Sequence, residues 1–443
     1  MQWPNAFEAA IRAQFPDGDA LLAALDGPTQ TTVLTNPAKG PCALEGTPIP
    51  WNPNGLLLPE RPQFTYDPLF HAGVYYPQES SSMVIQRVVS QLLADGPEDP
   101  VVLDLCAAPG GKSLNVLNAL GGRGMLLSNE VIRPRAAILA ETLTKWGHPN
   151  ILVTQSDPKA FRKLDGVFDL VVVDAPCSGE GMFRKDPPAA DHWSPEAVEL
   201  CAARQKRILA DVADCVAPGG HLVYATCTFN PHENDENVRW LQDQHDFEPA
   251  LPALPQGCTA EVSQVGWRFV PHRVPGEGLF VMVMRKTGGA AAKPLHKKAL
   301  QRLPKPDKAT AAAATEATGW NHWVEHHGLA CALPAAGHAL FLRALEHLHL
   351  IQAGTPVGKL KGRDLLPEHA WAQSHVLSLP GTPVELEREA ALAYLARQPF
   401  TADAPKGWTR FTYQGHTLGL GKSLGNRINN YYPKHWRIRH LQA

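Results

Sequence analysis

Short apolar runs separated by amphipathic stretches dominate the middle of the chain. Val101–Leu105, Met125–Ser128, Ile151–Thr154, Leu170–Asp174 and His221–Thr226 are rich in aliphatic and β-branched residues and too short for helices. The segments between them carry helical patterns, as at Leu114, Leu117 and Leu120. This alternation over about residues 76–286 predicts a parallel sheet with helices on both faces, an open doubly wound α/β fold. Two more strands, Gly266–Val270 and Leu279–Arg285, lie close together around Pro275–Gly278, which predicts an antiparallel hairpin at one edge.

The flanks read differently. Residues 1–75 form an N-terminal region with one helical stretch near Phe7–Leu25 and then proline-rich turns. Residues 287–318 turn into Gly, Ala, Lys and Pro with little periodicity, the composition of a linker. A small mixed domain is expected over 319–378 and a last unit over 379–443. No internal repeat is visible.

Composition narrows the class. With 44% apolar residues in 443 the chain is globular in type. No apolar run approaches the roughly 18 residues of a membrane span, and the N-terminus lacks a signal peptide's basic and apolar regions, so a cytoplasmic location is expected. Eight cysteines without a C-x-x-C pair fit neither a disulfide framework nor a zinc ribbon. They read as reduced thiols, most of them buried, and no metal is expected. The net charge is −2, yet from Pro405 onward there are seven Lys and Arg and no Asp or Glu, which leaves −9 on residues 1–404. Trp408, Phe411, Tyr413, Tyr431, Tyr432 and Trp436 interleave with those charges, as in a folded, stacking-capable surface for RNA.

Three loops carry chemistry. Cys177, in Asp174-Ala-Pro-Cys177-Ser-Gly, and Cys227, in Ala-Thr-Cys227-Thr, each follow a strand, so both sulfurs should face the crevice at the carboxyl ends of the sheet. A nucleophilic thiol with a second thiol suits adding to, and then leaving, an electrophilic ring. After the first strand comes Cys106-Ala107-Ala108-Pro109-Gly110-Gly111-Lys112-Ser113, a glycine-rich turn whose N–H groups suit an anionic end of a ligand. It is not a P-loop, because the first glycine of G-x-x-x-x-G-K-S would fall on Cys106, and G-x-G-x-x-G is absent.

These motifs, D-L-C-A-A-P-G-G-K-S at 104–113, D-A-P-C-S-G-E-G at 174–181 and A-T-C-T-F at 225–229, resemble those of the NOP/Sun family of RNA cytosine-5 methyltransferases. The segments Pro62–Met83 and Gly421–Arg439 are similar to its RsmF-type branch, and the resemblance covers most of the chain. It implies a Rossmann-like methyltransferase domain using S-adenosylmethionine, an N-terminal extension and a C-terminal PUA-like RNA-binding module over 379–443. The implied reaction is methylation of cytidine carbon-5 in small-subunit ribosomal RNA, naked or in an assembled subunit, by a monomeric enzyme.

The residues alone leave open which cysteine attacks. A Pro-Cys pair, as in DNA cytosine methyltransferases, favours Cys177, whereas the resemblance assigns the nucleophile to Cys227 and product release to Cys177. It gives Asp174 two duties, cofactor contact and polarisation of cytosine N3, the second requiring a protonated carboxyl. It places Cys106–Lys112 and Glu130 on the cofactor, Glu130 at its ribose, and Asp157 at its adenine. Arg184 and Lys185 could be solvated and stay outside the expected site, and Asn230, Pro231, Glu233 and Asn234 read as a helix start. One departure stands out: the family's Arg-x-Asn-Pro is Leu34-Thr-Asn36-Pro37 here, so a basic contact is missing. A transfer-RNA methyltransferase and a non-catalytic assembly factor are the competing readings.

Overall fold

The computed structural model describes residues 3–254, 257–263 and 265–441, so the outermost residues of the expected first and last units, and Pro255, Gln256 and Gln264, lie outside the described residues. Strands Val216–Thr226, Phe168–Asp174, Val101–Asp104, Met125–Asn129 and Ile151–Thr154 lie side by side in that order, all parallel. The order reverses between Val101–Asp104 and Phe168–Asp174, which makes the gap beyond their carboxyl ends the topological switch point. The strands are buried on both faces: Leu103, Leu127, Leu152, Val171 and Leu222 belong to one core, Val102, Leu126, Val153, Val172 and Val223 to the other. Alternation of apolar side chains to both faces is why these runs read as continuous.

The expected edge hairpin is present: Trp267–Phe269 pairs antiparallel with Leu279–Lys286, which pairs antiparallel with Val216–Thr226. Several expectations need correction. The helical stretch Phe7–Leu25 is two helices, Asn5–Gln14 and Gly18–Leu25, because Pro16 holds Phe15 extended. Tyr75–Pro77 pairs with Thr31–Thr35 in a four-stranded N-terminal sheet, so a boundary at 76 cuts a strand. The second half of the expected linker is the helix Lys308–Thr318, capped by the Asp307 carboxylate accepting from Thr310 N–H at 2.9 Å; its alanine run is a helix former rather than spacer. The segment 319–378 is not a free-standing domain either. Leu350–Ala353 adds an antiparallel edge strand beside Ile151–Thr154, while Trp323–His326, Leu329–Ala332, Thr355–Lys361 and Asp364–Pro367 form their own sheet. A last sheet is made by Thr382–Glu385, Gly407–Tyr413, His416–Ser423 and Ile428–Asn430. Among the described residues no helix is long and apolar enough to cross a membrane.

All these units meet at the end of the helix Arg133–Trp146. Lys39 Nζ donates to the carbonyls of Ala72 (2.5 Å) and Lys145 (2.6 Å) and to Gln373 Oε1 (3.0 Å). Asn36 Nδ2 donates to Gly73 O (3.1 Å) and Trp146 O (3.0 Å). Last-turn carbonyls have no intrahelical partner and carry the negative end of the helix dipole, so a lysine is the natural cap. The backbones touch: a Cβ on Gly147 would lie 2.3 Å from Gln373 O, and Gly147 has φ +89°, a conformation glycine adopts without strain. Leu34, at the family's arginine position, is fully buried and serves the core.

Three imidazoles, His71, His148 and His369, are buried along this seam, and His375 is half-buried beside them. Burial first, and then neighbouring charges and rings such as Lys145, Lys39 and His375, pull His71, His148 and His369 down to about 3 and His375 to about 4. Their unfolded values lie near 6.5. At these rings the unfolded chain binds more protons between about pH 6.5 and 4, so their share of stability falls as pH drops through that window. The buried Asp104 carboxyl, which burial raises to about 7, opposes this in part. Lys39, which burial pulls down to about 7, adds a separate fall as pH drops from its unfolded value near 10.4 to about 7. Urea unfolding across pH 7 to 4.5 should show the imidazoles' fall, and His375→Gln should make it shallower; identical pH slopes in the two proteins would contradict burial of the seam.

Candidate active site

The register sets the two cysteines together. Asp174 lies opposite Ala225 on adjacent parallel strands, and each cysteine follows two or three residues later. Cys177 Sγ and Cys227 Sγ are 3.2 Å apart, both half-buried. The Cys227 contact first, then burial and the negative charges of Glu233 and Asp174, push the Cys177 thiol well above its ordinary range. Cys177 thus keeps its proton at neutral pH, a thiol beside Cys227.

Two buried glutamates lock the loops to each other. Glu180, three residues after Cys177, serves the Cys227 loop: its Oε2 accepts from the N–H groups of Phe229 (2.6 Å) and Asn230 (3.1 Å). Glu233, six residues after Cys227, serves the Cys177 loop: its Oε2 accepts from Ser178 N–H (3.0 Å) and from Gln205 Nε2 (2.7 Å), whose amide also donates to Pro176 O (3.0 Å). Asn230 Nδ2 joins the two, donating to Glu180 Oε1 (3.1 Å) and Glu233 Oε1 (2.8 Å). Neither glutamate is more than 1% exposed. Ser178 and Thr228 hydroxyls meet at 2.9 Å, and Gly181 N–H donates to Cys227 O at 2.9 Å. The N-terminal helices brace the same loops: Trp193, which donates to Glu180 Oε1 at 3.1 Å, packs edge-on against Phe7, and Gln14 Nε2 donates to Phe229 O at 2.6 Å.

Across the switch point Lys112 Nζ donates to Asp174 Oδ2 at 2.7 Å. Burial works against the ammonium, but the charge and hydrogen bond of Asp174 outweigh it and hold Lys112 above its ordinary value. Asp174 is the acceptor in this pair. Behind it Asp104 is fully buried: Oδ2 accepts from Ser113 Oγ at 2.6 Å, while Oδ1 has no partner. Burial, against the Ser113 hydrogen bond, raises Asp104 to about 7, with Asp174 and Glu130 adding to the rise and Lys112 opposing it. Burial likewise pushes the Cys106 thiol up. Glu130, 4% exposed, accepts from Ile132 N–H at 2.9 Å and faces Arg135 at 3.5 Å.

Three carboxyl groups and one ammonium thus share one cleft, and one buried carboxyl oxygen lacks a donor. That set fits a ligand bearing an ammonium and a second positive centre. The glycine turn closes over it: Gly110 has φ +120° and its Cβ would fall 2.8 Å from Thr142, and a Cβ on Gly111 would crowd Gln78 at 3.2 Å. Gln78 and Glu79 roof this turn, Gln78 Oε1 accepting from Asn115 Nδ2 (2.9 Å) and Glu79 from Ser81 N–H (2.9 Å) and Glu277 N–H (3.1 Å). Among the described residues no group of three or more His, Cys, Asp or Glu is arranged to hold a metal ion.

Of the sequence-derived set, Cys106–Lys112, Glu130, Asp174, Cys177 and Cys227 converge at the carboxyl ends of the strands. Asp157 also follows its strand, but it is exposed and caps the turn Pro158–Lys163, accepting from Lys159 N–H at 3.0 Å. Arg184 is not solvated: its side chain is 7% exposed and donates to Glu277 at 2.7 Å, while Lys185 is exposed. The helix expected from Asn230 starts at Asp235, and Asn230, Glu233 and Asn234 instead hold the cysteine loops. From sequence Glu180 has no assigned role and Glu233 belongs to a helix start; the signal was a glutamate between glycines three residues after Cys177 and another between Asn230 and Asn234, six residues after Cys227. Three cysteines, Cys215, Cys258 and Cys331, are buried and the other five half-buried, fewer than expected.

Comparison with known proteins gives the family of the chain. Residues 90–285 match the family 16S rRNA methyltransferase RsmB/F, 3–80 the N-terminal domain of 16S rRNA methyltransferase RsmF, and 382–438 the methyltransferase RsmF PUA domain. The chain is 31% identical to ribosomal RNA small subunit methyltransferase F of Cronobacter sakazakii, over 97% of this chain and 95% of that one. It is 32% identical to the protein of that name from Klebsiella pneumoniae, over 98% and 96%. Among solved structures, NSun6 from Pyrococcus horikoshii shares the fold at 19% identity and TM-score 0.55, over 64% of this chain and 98% of that one. A methyltransferase homologue from Pyrococcus horikoshii does so at 24% and 0.55, over 64% and 95%. With its Rossmann-like sheet, N-terminal region and PUA domain all in place, the chain belongs to the RsmF family of small-subunit ribosomal RNA methyltransferases.

Proposed function

We propose that this RNA methyltransferase modifies carbon-5 of cytidine in small-subunit ribosomal RNA, with Cys227 as nucleophile, Cys177 releasing the product and S-adenosylmethionine as cofactor. The observation that carries the reading is the 3.2 Å contact of two thiols at the switch point. Carbon-5 of cytosine is a poor nucleophile until the ring's aromaticity is broken. Cys227 Sγ, as thiolate, forms a bond to carbon-6, and the electron pair moves toward N3 and carbon-5. The Lys112–Asp174 pair stands at the mouth of the sheet to hydrogen-bond N3. S-adenosylmethionine, when bound, supplies the methyl group that carbon-5 then takes up. Loss of the carbon-5 proton to a base returns an electron pair to the ring, and the carbon-6–sulfur bond breaks with Cys227 leaving as thiolate. Cys177, whose proton is retained beside it, hydrogen-bonds and steadies that departing sulfur.

Cys106–Lys112, Asp104, Glu130 and Asp174 would hold the cofactor, with Asp157 at its outer end. The relatives' names favour ribosomal over transfer RNA. An intact thiol pair on a hydrogen-bonded scaffold speaks against a non-catalytic assembly factor, and a ribosomal RNA substrate favours a cytoplasmic enzyme.

RNA carrying 5-fluorocytidine traps such an enzyme, because fluorine cannot leave as the proton does. Cys227→Ala should form no covalent band on denaturing gels, whereas Cys177→Ala should accumulate one even with ordinary RNA. The reverse pattern would exchange the two roles.

Glu130→Ala should weaken S-adenosylmethionine binding by about 1–3 kcal/mol, the cost of losing hydrogen bonds to a charged group. Calorimetric titration checks this, and unchanged affinity would remove Glu130 from the cofactor site. Glu233→Ala strands the Ser178 N–H and one hydrogen of the Gln205 amide and cuts Asn230 loose from the Cys177 brace, a cost of about 1–3 kcal/mol for each buried group left unpaired. Methylation should fall at least tenfold while cofactor affinity holds; wild-type turnover would show that the brace does not position the thiols.

A further inference from the structure

A cleft of about 610 Å³ opens between the sheet Trp323–Pro367 and the C-terminal sheet, floored by the catalytic sheet's edge strand at Gln352. That volume lies within the range of small-ligand pockets. Aromatic rings line one wall: Trp408 and Tyr431 pack edge to face at 4.7 Å, and Tyr431 is 46% exposed. His326 and His369 also line the cleft, the latter packed edge-on against Trp436 at 5.0 Å; they are 8% and 9% exposed and each keep a ring nitrogen without a hydrogen-bond partner. Burial lowers both rings, His326 to about 4 and His369 to about 3, so they are neutral at working pH.

The charge is at the rim. Lys359, Lys361 and Arg363 are exposed on the hairpin of the first sheet. From the other side Lys422 Nζ lies 5.4 Å over the Trp408 ring. Two separately coded basic elements therefore converge on one aromatic slot. Among the described residues its wall holds one carboxylate, Glu368, which disfavours a phosphate inside but suits an exocyclic amine.

We infer that this cleft takes an unpaired nucleobase of the RNA substrate, stacked on Trp408 and Tyr431, with the flanking phosphates on Lys359 and Lys422. Flat faces, neutral donors or acceptors within and cations without are what single-stranded RNA needs. The cleft reaches Thr144, eleven residues along the helix that starts beside Glu130, or roughly 16 Å at the helical rise. One nucleotide cannot occupy both places, so the bound base is distinct from the target cytidine and sets the grip on the substrate rather than the chemistry. This rests on the RNA-methyltransferase reading.

The test uses the full-length enzyme and a small-subunit rRNA transcript. Tyr431→Ala and Lys359→Ala, both at exposed positions, should together raise the RNA concentration for half-maximal methylation about tenfold, leaving kcat and cofactor affinity unchanged. Transcript containing 5-iodocytidine, which keeps the exocyclic amine, should photocrosslink to Trp408 or Tyr431. Unchanged half-saturation, or crosslinks confined to other surfaces, would overturn the cleft while leaving the methylation reading intact. Weakened binding and the expected crosslinks in a protein that forms no 5-methylcytidine would support the cleft and sink that reading alone.

Discussion

Two carboxylates that never meet water hold the reactive part of this protein together. Glu180 and Glu233 each belong to one cysteine loop and satisfy backbone N–H groups of the other, with Asn230 joining them. Buried carboxylates are tolerated only when fully hydrogen-bonded, and here each bond also fixes a loop. The sheet brings the cysteines near each other, since adjacent parallel strands stand about 5 Å apart. The crossed braces turn that proximity into contact between the sulfurs. Even the N-terminal helices work for this site, through Trp193 and Gln14.

The same economy explains the cofactor side. The catalytic turn and the Asp174 loop flank the point where strand order reverses, and a single Lys112–Asp174 pair bridges them. Asp104, neutralised in part by burial, keeps one oxygen without a hydrogen-bond partner beside Asp174, Lys112 and Glu130. Cofactor and substrate chemistry are thus coupled through a few charges, so that a change at one carboxyl is felt by the others.

Much of this was legible in the chain. The five central strands, the edge hairpin and the convergence of Cys106–Lys112, Asp174, Cys177 and Cys227 follow from periodicity and strand-end position, because parallel strands announce themselves as apolar runs. The braces were not legible, since Glu180 and Glu233 look like loop polarity until the fold closes over them. The alanine-rich helix Lys308–Thr318 was hidden by its low complexity, and the edge strand Leu350–Ala353 by pairing with a strand some two hundred residues earlier. Of the aromatics expected to stack on RNA, Phe411 and Tyr432 are fully buried core, a distinction spacing cannot draw.

The most direct test of the account is a crystal structure of the wild-type enzyme trapped on RNA containing 5-fluorocytidine. The account predicts a bond from Cys227 Sγ to carbon-6, with Cys177 Sγ still in contact with that sulfur and Lys112–Asp174 facing N3. A bond from Cys177, or sulfurs drawn apart with Glu180 and Glu233 released from their N–H partners, would contradict it.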